Sequence, residues 1–305
     1  MGFKEKLKHW IVPPGFYNLK RRIDQRYKNE EILDKVPVSL PNSGNGLFNF
    51  KDKYNGKRCF ILATGPSIAT QDLSLLAGEC CIAVSMFHLH KEICKIKPIW
   101  HVLAPVHPPF KLDTVKTILE TCYDQYKGLK EINFMLGHRD YAYSYKNYIK
   151  NETNRFKSEF ENRIHYVDYN KSDAITEQNY DSTKIWDLEQ KPFGMRTVIF
   201  PAIQLAYYLG FKEIILLGCD HDYLLDLTKV ESQHFYPERD GFSDKETFTS
   251  ANLEEWFYTY YVLWKEYRLI QNYMNDQNVK IINATNGGML DVFPRVKFES
   301  FFYRL

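Results

Sequence analysis

The stretch Phe60-Ile-Leu-Ala-Thr-Gly-Pro-Ser-Ile68 is an apolar run that ends abruptly in a Gly, a Pro and two hydroxyls, after which a second periodic segment begins. It reads as a buried strand entering a tight turn. The same alternation recurs along the chain. Short β-rich runs at 58–63, 80–84, 98–104, 131–136, 163–168, 212–218 and 279–283 are separated by helical or loop segments. Near-continuous apolar runs such as Ile214-Ile-Leu-Leu217 suit a parallel sheet covered on both faces. The expectation is a doubly wound, mostly parallel α/β fold.

Two helices stand out between these strands. Residues 195–209 carry Ile199, Ala202, Ile203, Ala206 and Leu209 at helical spacing, with Gly210 as the stop. Residues 253–275 form the longest helix, opened by a capping box from Asn252 and Glu255. From Asp220 to Asn252 runs a polar stretch with little periodicity, which predicts an active-site lid over about 221–252. Residues 1–57 read as a basic arm and linker ahead of one nucleotide-binding domain over 58–305. Residues 1–28 hold eight Lys or Arg against two acids, interleaved with Trp10, Ile11, Phe16 and Tyr17. Such an arm suits either the anionic inner face of a membrane or docking on its own domain.

At 305 residues and 44% hydrophobic content the chain can bury a substantial core, and its formal net charge of +2 gives no footing for wholesale nucleic-acid binding. The six cysteines form no C-x-x-C pair and several lie inside apolar runs, which points to reduced, buried thiols in a cytoplasmic setting. His88, His90, His101 and His107 lack metal-site spacing and read as surface or satisfied core residues.

Chemistry concentrates in three places. Thr64-Gly65-Pro66-Ser67 sits at the carboxyl end of the first strand, where parallel sheets bind ligands. Gly194-Met-Arg-Thr197 precedes a helix, and Leu217-Gly-Cys-Asp220 ends the next strand with a carboxylate suited to ribose or sugar hydroxyls. Gln233-His-Phe-Tyr-Pro-Glu-Arg-Asp240 puts an imidazole and carboxylates into the lid, and His234 and Glu238 are each suited to general-base work.

In this order the three stretches resemble the bacterial sialyltransferases of glycosyltransferase family 42 and the related MptE-like proteins. Asn283-Ala-Thr-Asn-Gly-Gly288 and Val292-Phe-Pro-Arg295 extend the likeness toward the C-terminus. The resemblance implies a Rossmann-like, GT-A-like variant fold with a helical lid. It also implies inverting transfer of a CMP-activated acidic sugar (sialic acid, Kdo or another nonulosonate) to a glycan or glycolipid acceptor. Carried over by position, Thr64, Gly65, Pro66 and Ser67 would hold the nucleotide phosphate and ribose, with Ser85 at the second strand end. Gly194, Arg196 and Thr197 would contact donor, and Gly218 with Asp220 would bind cytidine or its ribose. Arg196, or Arg295, would pair with the donor carboxylate, and Tyr223 would stabilise the departing phosphate.

This chain departs from that pattern in ways that bear on function. The family base is the second His of H-x-x-x-H, whereas here His234 holds the first position and Glu238 the second, so either serves. An imidazole with an ordinary pKa of about 6.5 needs fewer assumptions than a carboxyl near 4.3. The expected leaving-group Tyr is replaced by Asp222, with Tyr223 one step later. Ser85 and Ala104 replace polar residues that would contact donor. Asp220-His-Asp222 also spells D-x-D, which in other glycosyltransferases holds Mg²⁺ or Mn²⁺ against a nucleotide diphosphate. The expectation is a metal-independent site. The rivals are a metal-dependent transferase using a nucleotide-diphosphate sugar, an MptE-like ATP-dependent pyrophosphokinase, and a non-enzymatic nucleotide-binding scaffold.

Overall fold

The computed structural model describes residues 46–106, 111–138, 143–151, 154–169, 177–189, 192, 196–223, 234–237 and 253–303. The basic arm and the capping residue Asn252 lie outside them. Of the expected lid over about 221–252, only 221–223 and 234–237 are described.

All seven expected strands are present: β1 Arg58–Leu62, β2 Cys81–Val84, β3 Trp100–Leu103, β4 Asn133–His138, β5 Ile164–Asp168, β6 Glu213–Leu217 and β7 Lys280–Asn283. They form one sheet in the order β5-β4-β3-β2-β1-β6-β7, and every pairing is parallel. The strands are apolar on both faces because both faces are covered. Cys59, Ile61, Ile214 and Leu216 enter one core cluster, while Phe60, Leu62, Ile215 and Leu217 enter the other.

Among the described residues seven α-helices accompany the sheet: α1 Ile93–Ile96, α2 Leu112–Tyr126, α3 Tyr145–Asn151, α4 Arg155–Phe160, α5 Thr183–Trp186, α6 Ile199–Tyr208 and α7 Leu253–Asp276. Helix α6 begins four residues later than the periodicity suggested. Pro201 has no N–H, so it can lie only in a first turn, and a helix running from 195 would place it in the interior. Nine of the ten α6 residues are buried, and Gly210 follows at φ +88°, the left-handed conformation of a helix stop. Helix α7 is the β6–β7 crossover. It buries Tyr260, Leu263, Tyr267, Ile270 and Met274, a stripe at three- and four-residue spacing.

Residues 47–57 form a strap on the same face. Leu47 is fully buried, Tyr54 stacks on Phe211, and the amides of Asp52, Tyr54 and Gly56 donate to the carbonyls of Tyr208, Leu209 and Gly210. No described helix is long and apolar enough to cross a membrane.

Strand order fixes where a ligand belongs. The chain steps outward from β1 to β5, then returns across the sheet to place β6 on the other side of β1. The carboxyl ends of β1 and β6 therefore flank the point where the winding reverses, where open parallel sheets form a crevice.

Candidate active site at the β1–β6 switch point

Backbone pairing of β1 with β6 continues past both strands, with Ala63 N donating to Leu217 O and Gly65 N to Gly218 O, each at 2.9 Å. This brings the turn after β1 against the turn after β6. The 3₁₀ helix Pro66–Thr70 starts there with Pro66 in its first turn. The Asp220 carboxylate then accepts twice from one residue, Ser67 N at 3.1 Å and Ser67 Oγ at 2.8 Å. Burial pushes the Asp220 carboxyl up from its ordinary range, the two Ser67 bonds pull it down, and the Asp222 charge adds to the rise.

At Gly65 two parts of the chain approach each other closely. A Cβ there would lie 1.8 Å from Asp220 Oδ2 and 2.5 Å from Gly218 O. The loop after β7 closes the other side of Asp220. Met289 N donates to Asp220 O at 2.7 Å, and Thr285 Oγ1 accepts from Cys219 N at 3.0 Å. Asn283 ties that loop together through Leu290 O and Thr285 N. The Asn283–Gly288 motif is thus the support of Asp220. Arg295 is spent in the same loop, donating to the carbonyls of Thr285, Gly287, Gly288 and Leu290. This placement corrects its expected pairing with a donor carboxylate.

Three residues before Ser67, Thr64 makes a different connection. Its Oγ1 lies 3.1 Å from His234 Nδ1, and its carbonyl accepts from Phe235 N at 3.0 Å. The His234 ring stacks on Tyr236, with centroids 4.9 Å apart and planes 4° apart. Phe235 lies edge-on to Phe87 and His90. The segment 234–237 is therefore pinned to the ends of β1 and β2 by two backbone-adjacent hydrogen bonds and an aromatic cluster. Ser85 ends β2 at φ +49°, and its carbonyl accepts from His101 Nε2 at 2.7 Å. Burial lowers His101 to about 4, so its ring is neutral and takes its second hydrogen bond from the Tyr126 hydroxyl at 2.8 Å.

Other expected residues join a second polar group, on α7. Arg196 Nε donates to Glu266 Oε1 at 3.0 Å, and the Thr197 hydroxyl bonds Tyr267. His221, at φ +48°, meets the Tyr267 hydroxyl through Nε2 at 2.7 Å. Tyr223 stacks on Tyr260 with centroids 5.6 Å apart. Gly194 and Glu238 lie outside the described residues.

Glu266 is the residue that sequence reading passed over. It is 2% exposed, its Oε2 has no hydrogen-bond partner among the described residues, and burial raises its carboxyl to about 7 against the opposing pull of Arg196. A signal existed, since Glu266 falls three residues after Leu263 and four before Ile270, on the buried stripe of α7.

Asp220 turns both carboxylate oxygens to Ser67, and no third ligand-type side chain joins Asp220 and Asp222 among the described residues. One group of three such side chains does occur there: His88, His101 and Cys122, with ligand atoms within 4.8 Å of one another. Each of its ring nitrogens already has a partner in Thr121, Cys122, Tyr126 or Ser85. His88, His90 and His101 are buried, and His107 lies outside the described residues.

No family model and no curated protein matches the chain. Among solved structures it is similar to the MAf glycosyltransferase from Magnetospirillum magneticum AMB-1, at 13% sequence identity and a TM-score of 0.44. The match covers 88% of this chain and 40% of that one. Likeness at this level defines neither a family nor an activity.

Proposed function

We propose that the chain is an inverting glycosyltransferase whose donor is a CMP-activated acidic sugar, bound across the β1–β6 switch point without a metal. The observation that carries this reading is the meeting of Thr64, Ser67, Asp220 and His234. These four residues were singled out from three motifs, and their side chains meet beyond the carboxyl ends of β1 and β6.

In this mechanism Asp220 trades its Ser67 bonds for the ribose hydroxyls of the nucleotide. A buried carboxylate at a strand end accepts such hydroxyls well, and the Ser67 amide and hydroxyl so released turn toward the phosphate. His234 is the base. When Nδ1–H donates to Thr64 Oγ1, Nε2 carries the lone pair and accepts the proton of the attacking acceptor hydroxyl. The bond from the acceptor oxygen to the anomeric carbon forms as the bond to the CMP phosphate breaks. A monophosphate leaves with less charge than a diphosphate, so hydroxyls and amides suffice for it. Arg196 offers the donor carboxylate a cation already positioned by Glu266.

A thermal-shift panel of CMP, CDP, UDP, GDP and ATP, each with and without Mg²⁺, tests the donor class. The reading expects CMP to raise the midpoint in the presence of a chelator. Stabilisation only by UDP or ATP, and only with Mg²⁺, overturns it in favour of metal chemistry.

A further inference from the structure

Beside the switch point lies a cavity of about 440 Å³, in the size range of small-ligand pockets. Ala69, Met86, Leu89, Phe235, Tyr236 and Pro237 supply its apolar and aromatic walls. The polar positions are His90, Lys91, Thr117 and Thr121, so no acidic side chain among the described residues lines it. The wall shared with the catalytic group is Tyr236, whose ring stacks on that of His234. A molecule in this cavity therefore sits next to the proposed base, separated from Asp220 by the Thr64–His234 contact.

His90 and Lys91 supply the donors here. His90 Nδ1 accepts from Glu92 N at 3.2 Å, which makes that ring neutral with its proton on Nε2. Lys91 is exposed and forms no ion pair among the described residues. Its neighbouring acids are already engaged, Glu92 with Lys95 at 2.8 Å and Asp72 with the amide and hydroxyl of Ser74. The cavity thus combines a flat aromatic wall with an ammonium that forms no ion pair among the described residues. An aromatic face accepts the C–H face of a pyranose, and an ammonium outside an ion pair selects an anion.

We infer that this cavity is the acceptor subsite, and that it takes a sugar bearing an anionic substituent, a phosphate or a carboxylate, stacked on Tyr236 and paired with Lys91. The inference rests on the glycosyltransferase reading of the adjoining site. It adds the acceptor's charge, which the donor motifs do not address. Phosphate and carboxylate share the recognition chemistry, so the test carries both.

The experiment is titration calorimetry on the full chain with glucose 6-phosphate, galacturonate and uncharged glucose, each with and without saturating CMP. Lys91→Met and Tyr236→Ala are the variants, with circular dichroism to confirm folding. The expected result is binding of the charged sugars above glucose, weakened about fivefold or more in Lys91→Met, the scale of one solvent-screened ion pair. CMP affinity should stay within about twofold in that variant, because Lys91 is outside the nucleotide site. Charged sugars that bind equally well to Lys91→Met, or no better than glucose, overturn the inference. So does competition between CMP and the sugar phosphate, which would give the cavity to the donor. If CMP fails to bind while the Lys91-dependent sugar binding persists, the cavity assignment stands and the donor reading falls.

Discussion

Two hydroxyls of one turn, Thr64 and Ser67, have opposite kinds of partner. Ser67 faces inward, its amide and hydroxyl both held by Asp220 in a junction where strand ends, a glycine and the loop after β7 leave no spare room. Thr64 faces the segment 234–237, which meets it through one side-chain and one backbone hydrogen bond and continues into a cavity wall. Backbone pairing fixes the first contact. Side chains of a long connection make the second. Steric changes at the Asp220 junction, at Gly65 above all, should therefore unfold, and changes at His234 should only silence.

The severest break is Gly65→Ala. Its methyl would overlap the Asp220 carboxylate and Gly218 O, and the Gly218 carbonyl cannot retreat without breaking its hydrogen bond from Gly65 N. A loss of about 3 kcal/mol or more in chemical denaturation is expected, at the upper end for overpacking. A Gly65→Ala protein of ordinary stability would mean that the junction is looser than the 2.9 Å ladder bonds imply.

On the other side, His234→Ala should lower kcat by about 100-fold or more while shifting stability by less than about 1 kcal/mol. Thr64→Val should cost about tenfold in kcat through a misoriented imidazole, with Thr64→Ser restoring most of it. An inactive Thr64→Val with an unaltered pH–rate profile would argue that Thr64 acts on the substrate and not through His234.

The seven strands were legible because burial on both faces leaves near-continuous apolar runs, and these runs do not depend on distant partners. The start of α6 was not, because periodicity ignores the missing N–H of Pro201. The strand-end motifs located Ser67 and Asp220, but not the direct bond between them. That bond follows from the parallel register of β1 on β6, which joins residues 153 positions apart. Local sequence does not encode which side of β1 the sixth strand will take. Ser85 and His101 show the same limit: the left-handed turn at Ser85 is held by an imidazole from the neighbouring strand β3.

Glu266 offers a subtler contrast with Asp220, since both are buried carboxyls at the site but only Asp220 has both oxygens satisfied. Its folded value of about 7 lies above its ordinary 4.5, so the folded protein holds that proton more tightly than the unfolded chain. The resulting stability is full below about pH 4.5 and drains away as pH rises to about 7. Glu266→Gln keeps an acceptor for Arg196 and removes the titration. It should gain on the order of 1 kcal/mol over the parent at pH 8 and nothing at pH 4.5, read from paired denaturation curves. A gain that does not vary with pH would show that Glu266 stays ionised in the folded protein.

The central claim is that the Asp220 junction is a nucleotide site and not only a structural clasp. Titration calorimetry of CMP in chelator, with the parent and with Asp220→Asn, tests it most directly. Asparagine keeps one acceptor for the Ser67 amide and removes the charge, so the fold should survive. The account predicts CMP binding by the parent and a weakening of about tenfold or more in Asp220→Asn, the scale of a lost charge-assisted hydrogen bond. Equal CMP affinity in the two proteins, or none in the folded parent, would contradict it.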